Sequence, residues 1–215
     1  MPLLKKINFS RIVGTTTEIL LWKITESLAE LSAEVPLNPK NQQRFNGMKS
    51  ELHQLAFLSV RKLLQLKGYT DFDLEYDQFG KPHLKDGKHI SISHSHEYAT
   101  IIISDEITGI DIELQRDKII RIADKFVEPE WEFLDKENQE HIRKLTVIWG
   151  VKESIFKIRN EAGISFKDHI HVHPFEIKDQ SGIADLHFQN SVIQFKYHFI
   201  EIDNFTLVYV FQQNQ

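Results

Sequence analysis

The alternation Gly109-Ile110-Asp111-Ile112-Glu113 constrains this chain more than any other stretch. Side chains of a β-strand alternate between its two faces. A strand here puts Ile110 and Ile112 on one face, toward a core, and Asp111 and Glu113 together on the other. Further on, Trp149-Gly150-Val151-Lys152-Glu153-Ser154-Ile155-Phe156-Lys157 reads as helix, with Ile148, Val151, Ile155 and Ile158 as its apolar stripe. Glu153 and Lys157 are four apart, lie off that stripe and share a face. A fold that sets this strand beside this helix brings three carboxylates and one ammonium to one place. Such oxygens suit a hard divalent cation, which takes a few carboxylates and completes its shell with water and phosphate. Singly, each half is ordinary. An Asp-x-Glu is most often a solvated strand face, and an i,i+4 pair contributes about 0.3–0.5 kcal/mol at a surface. Only the combination points to chemistry.

The net charge of −5 gives the molecule no overall attraction for nucleic acid or an anionic membrane, so any phosphate must be held by a local positive patch. There is no cysteine, which excludes disulfides, thiol catalysis and cysteine-based zinc sites and suits a reducing, cytoplasmic setting. Met1-Pro2-Leu3-Leu4-Lys5-Lys6 is not followed by the apolar run of a signal peptide. No apolar run approaches the ~20 residues that span a bilayer.

Residues 18–24 read as a buried strand, with Thr25 capping a helix over 26–34 that Pro36 ends. Asn38-Pro39 opens a helical pattern running to residue 67, interrupted at Gly47 and stopped by Gly68. A short strand at 74–76 precedes the turn Phe79-Gly80-Lys81-Pro82. Residues 89–94 alternate as a half-buried strand, and 98–104 form its antiparallel partner. The second half reads as helices over 119–126, 129–134 and 141–159, closed by Gly163, then strands over 171–177, 184–188, 193–202 and 206–211. His169, His171 and His173 alternate and so share a strand face, where they read as solvated histidines rather than metal ligands. The 41% hydrophobic fraction, with 15 Phe, supplies a full core. The expected class is α+β, with two lobes of similar size over 1–105 and 106–215. Each has a small antiparallel sheet and packed helices, and the cleft between lobes is the default ligand site.

The two motif segments resemble the paired signature of the 4′-phosphopantetheinyl transferases, G-[IV]-D-x-E and W-x-x-K-E-[SA]-x-x-K. The separation from Glu113 to Glu153 is 40 residues. Phe79-Gly80-Lys81-Pro82 and Ile92-Ser93-His94-Ser95 are similar to two upstream family elements, so the resemblance runs from about residue 75 to residue 160. It implies the two-lobed, surfactin-synthetase-activating type, with the lobes in a pseudo-twofold arrangement. The N-terminal lobe would contact the coenzyme A nucleotide, and the C-terminal lobe would carry the metal site and catalytic helix. The implied reaction passes 4′-phosphopantetheine from coenzyme A to a serine of an acyl or peptidyl carrier protein and releases adenosine 3′,5′-bisphosphate. By the same resemblance Asp111, Glu113 and Glu153 hold Mg²⁺, with Mn²⁺ as a substitute. Glu153 and Lys157 act in catalysis. Lys81, Pro82, Ser93, His94, Lys152 and Lys157 contact coenzyme A. The family's basic residues for the 3′-phosphate fall on Leu52, His53 and Gln54 here, which leaves Lys49 or Arg44 as substitutes. The expected state is a monomer that docks its carrier near residues 126–134.

Two other readings start from the same residues. An Asp-x-Glu with a later lysine also fits a metal-dependent nuclease, but duplex binding needs many Lys and Arg contacts that this acidic chain lacks. A non-catalytic coenzyme A- or carrier-binding protein would have no need of three carboxylates and Lys157.

Overall fold

The computed structural model describes residues 4–9 and 16–213; residues 1–3, on which part of the N-terminal reading rests, lie outside them. The chain divides into two compact units, Met1–Asp105 and Glu106–Gln215. Helices and antiparallel sheets are both present, so the class is α+β.

The first unit contains β1 (Leu4–Phe9), β2 (Thr17–Lys23), α1 (Leu28–Glu34), α2 (Pro39–Asn46), α3 (Glu51–Gln65), β3 (Leu74–Tyr76), β4 (Pro82–Leu84), β5 (His89–Ser95) and β6 (Tyr98–Ser104). Its main sheet runs β1-β2-β6-β5, antiparallel throughout, and β3-β4 form a separate hairpin. Leu20 and Trp22 of β2 and Ala99, Ile101 and Ile103 of β6 pack with Val60, Leu63 and Leu64 of α3. The cap of α1 is Ser27, not Thr25. Ser27 has Glu30 three residues on, and the two close a reciprocal capping box. Asn38 caps α2 as its sequence suggests, and Ser50 opens α3 after the break at Gly47. A buried network ties the start of α2 to α3 through the segment that follows α3. Asp71 accepts from Arg61 Nε at 2.9 Å, Asn41 Nδ2 at 2.8 Å and the Asn38 N–H at 2.8 Å.

The second unit contains β7 (Thr108–Leu114), α4 (Lys118–Ile122), α5 (His141–Arg159), α6 (Phe166–His169), β8 (Ile170–Val172), β9 (Ser181–Phe188), β10 (Ser191–Ile202) and β11 (Phe205–Gln212). Short 3₁₀ turns occupy Ala123–Lys125, Pro129–Glu132 and Ile177–Asp179. The sheet order is β7-β11-β10-β9-β8, antiparallel, with β7 at one edge. The strand expected over 171–177 is cut to three residues, because Pro174 has no N–H for a ladder. α5 ends at Asn160, in the left-handed conformation with φ 49°, rather than at Gly163. The three histidines do not share a strand face: His169 ends α6, and His173 follows β8 and meets Asp185 at 2.7 Å.

Candidate active site

β7 alternates as expected, but both of its faces are buried. Ile110 and Ile112 are fully buried on one side, and Asp111 is only 4% exposed on the other. The acidic face is the one that α5 covers. Two glycines make this possible. A Cβ at Gly109 would lie 2.2 Å from the carbonyl oxygen of Ser154, and a Cβ at Gly150 would lie 2.6 Å from Cγ2 of Val208 on β11. With no side chain at either point, α5 settles directly onto β7 and β11. Val151, Ile155 and Ile158 then join Val208 and Val210 in one core. This close seam puts Glu153 and Lys157 beside the strand's carboxylates.

Lys157 Nζ donates to Asp111 Oδ1 at 2.8 Å and to the carbonyl of Ile110 at 2.9 Å. The ammonium thus balances one of the strand's two acids. Glu153 has a different environment. Burial, followed by the charge of Asp111, pushes its carboxyl up from 4.5 to about 7; Glu113 adds to the rise and Lys157 opposes it. Glu153 is therefore divided between its acid and base forms near neutral pH.

The sign of the stability effect follows. A carboxyl with a raised folded-state pKa favours the fold fully below its unfolded value of 4.5, and that contribution is lost as pH rises through about 7. The loss is on the order of 2–3 kcal/mol across that window. Glu153→Gln is expected to remove this part of the slope and to be the more stable protein at pH 8 without divalent ions. Urea denaturation at pH 5 and pH 8 checks it; equal wild-type and variant slopes would contradict the buried, charge-crowded placement of Glu153.

Glu113 and Glu153 line two neighbouring cavities that share Ile122 and Trp149. The smaller, about 210 Å³, adds Arg116 and Lys118 to Glu113. The larger, about 500 Å³, places Glu153 among Phe126, Phe166 and Lys125. Arg116, Lys118 and Lys125 are candidate phosphate contacts that sequence reasoning missed; the basic residues that closely follow Glu113 were the available signal. Among the described residues no three His, Asp or Glu side chains converge closely enough to ligate an ion directly. The donor chemistry nonetheless suits a hard cation: Asp111, Glu113 and Glu153 lie near one another, and burial, followed by the charge of Asp111, keeps Glu153 partly protonated.

Lys152 is placed otherwise than the sequence suggested. It is 0% exposed and pairs at 2.7 Å with Glu130, also 0% exposed, and it donates to the carbonyls of Phe126 and Phe166. Burial lowers its pKa, and Glu130 opposes that shift. An ammonium held this way faces the interior and cannot reach a ligand.

The remaining expected contacts lie in the first unit. Lys81 and Pro82 follow a turn that Asp77 organises by accepting the N–H groups of Phe79 at 2.8 Å and Lys81 at 2.9 Å, with Gly80 at φ +84°. Ser93 is buried near the end of β5 and His94 is exposed, its ring 6.1 Å from that of His53. Lys49 is exposed in the α2–α3 connection. Lys81 lies close enough to His89 to add to the burial that lowers that imidazole's pKa. His89 is five residues from His94, about 17 Å along an extended strand.

A two-carboxylate edge strand under a helix bearing Glu and Lys forms a compact acidic site with one ammonium in contact with Asp111. Residues 107–210 match the model of the 4′-phosphopantetheinyl transferase superfamily. The 4′-phosphopantetheinyl transferase gsp of Aneurinibacillus migulanus is 35% identical over 108 residues, covering 48% of this chain and 46% of that protein. The chain thus aligns with about half the length of the curated relative it matches. The similarity to this superfamily lies within the second unit. Among the described residues no helix is long and apolar enough to cross a membrane.

Proposed function

We propose that this chain transfers 4′-phosphopantetheine from coenzyme A to a serine of an acyl or peptidyl carrier protein, with Mg²⁺, in a cytoplasmic setting. The observation that carries the reading is the meeting of Asp111, Glu113, Glu153 and Lys157 at the β7–α5 seam, inside the segment that matches the superfamily. In the reaction the serine Oγ forms a bond to the β-phosphorus of coenzyme A, and the pyrophosphate P–O bond breaks. Adenosine 3′,5′-bisphosphate leaves, and the serine proton passes to a base.

Asp111, Glu113 and Glu153 would hold the divalent ion. Once bound, it supplies positive charge to the pyrophosphate oxygens. Lys157 contributes a fixed cation at the same place. Glu153 is also the carboxylate proposed to take the serine proton, directly or through water. Lys81, Pro82, Ser93, His94 and Lys49 would contact coenzyme A from the first unit. Lys152 is not among the contacts, because its donors are spent in the interior.

Incubation with coenzyme A, Mg²⁺ and an apo carrier is expected to release adenosine 3′,5′-bisphosphate only when the carrier is present. Chromatography of the nucleotides reads this directly. Release without a carrier would indicate coenzyme A hydrolysis, and no release with several carriers would count against transfer.

A further inference from the structure

Lys152 precedes Glu153 on α5 and turns into the interior of the second unit. Its Nζ donates to the carbonyl of Phe126 at 2.6 Å and to that of Phe166 at 3.0 Å, and it pairs with Glu130 Oε1 at 2.7 Å. Three donors meet three acceptors, so the ammonium is saturated. Glu130 uses its remaining capacity on the N–H groups of Val172 at 2.9 Å and Glu128 at 3.2 Å.

The two accepting carbonyls belong to the residues whose rings wall the larger cavity beside Glu153. The Phe126 ring meets Trp149 edge-on at 5.1 Å, and the Phe166 ring lies 5.6 Å from Trp149. One ammonium therefore ties the turn after α4 and the start of α6 to the helix that carries Glu153. Stability alone gives no reason for this choice, since a well-packed apolar side chain is often as good as a buried ion pair or better.

We propose that Lys152 is a positioning residue. By holding the carbonyls of Phe126 and Phe166 it fixes the cavity walls, and with them the orientation of Trp149 and Glu153, for the transfer. The catalytic half of this statement rests on the reading in the preceding subsection; the clamp itself is testable without turnover.

The variants are Lys152→Met and the double variant Lys152→Met with Glu130→Gln, which leaves no unbalanced buried charge and keeps an acceptor for Val172. Labelling with fluorotryptophan gives three resonances, one per tryptophan, and Trp149→Phe identifies the relevant one. The double variant is expected to recover most of the melting temperature that the single variant loses. Its Trp149 resonance stays broadened or split, and kcat stays about 100-fold below wild type while the KM for coenzyme A changes little. A double variant with a sharp, wild-type Trp149 resonance and wild-type kcat would overturn the proposal and leave Lys152 as structural filling. A wild-type protein without transfer would sink the transferase reading, and the Trp149 resonance would still decide the clamp.

Discussion

Asp111→Ala is expected to reduce transfer about a thousandfold or more while leaving the protein folded. Asp111 is nearly buried, faces α5 and holds Lys157 at 2.8 Å. Its removal takes away a proposed ligand of the divalent ion and frees the ammonium from its anchor. It also relieves Glu153 of the largest charge acting on it, so the Glu153 pKa should fall from about 7. Three parts of the site change together, which is why the effect exceeds that of one lost hydrogen bond. The fold should survive, because the substitution removes a charge from a crowded acidic seam and leaves the Val208–Val151 packing in place. Steady-state kinetics beside circular dichroism read both halves. Wild-type kcat in a folded Asp111→Ala protein would remove Asp111 from the mechanism.

Gly109→Ala is the second large effect, and it acts on the fold first. The new Cβ would meet the carbonyl oxygen of Ser154 at 2.2 Å and its carbon at 2.9 Å. Both are backbone atoms, so no rotamer change relieves the clash. α5 would have to lift from β7, loosening Ile155 and Ile158 and drawing Glu153 and Lys157 away from Asp111. The expected cost is about 3 kcal/mol or more, the upper end for overpacking, together with loss of transfer. Gly87 is the control. It has φ +84° with open space around it, so Gly87→Ala should cost only about 1–2 kcal/mol for its backbone conformation. Denaturant melts of both variants make the comparison; equal costs would contradict the close helix–strand seam.

The strand and helix of the site were legible in the sequence because both carry strong periodicity. Residues 109–113 lie within β7, and 141–159 are α5. The α+β class was legible for the same reason. Which face of β7 the acids occupy was harder to read. Alternation separates two faces but does not say what covers each, and here the face bearing Asp111 lies under a helix. The role of Gly109 and Gly150 shows only once Ser154 and Val208 stand opposite them.

The resemblance put Lys152 among the coenzyme A contacts beside Glu153, but neighbours on a helix point about 100° apart. Its partner Glu130 lies 22 positions earlier in a short 3₁₀ turn, and no local pattern announces such a pair. The errors at Thr25, Gly163 and residues 171–177 are boundary effects. Ser27 outcompeted Thr25 through Glu30, Asn160 closed α5 first, and Pro174 ended β8 early.

The central claim is that the β7–α5 seam moves phosphopantetheine onto a carrier serine. The most direct measurement is the intact mass of an apo carrier protein after incubation with this protein, coenzyme A and Mg²⁺. The account predicts a mass gain equal to one phosphopantetheine on the carrier serine, absent with the Asp111→Ala protein and absent when the divalent ion is chelated. An unchanged mass across several apo carriers, with coenzyme A bound and the protein folded, would contradict it.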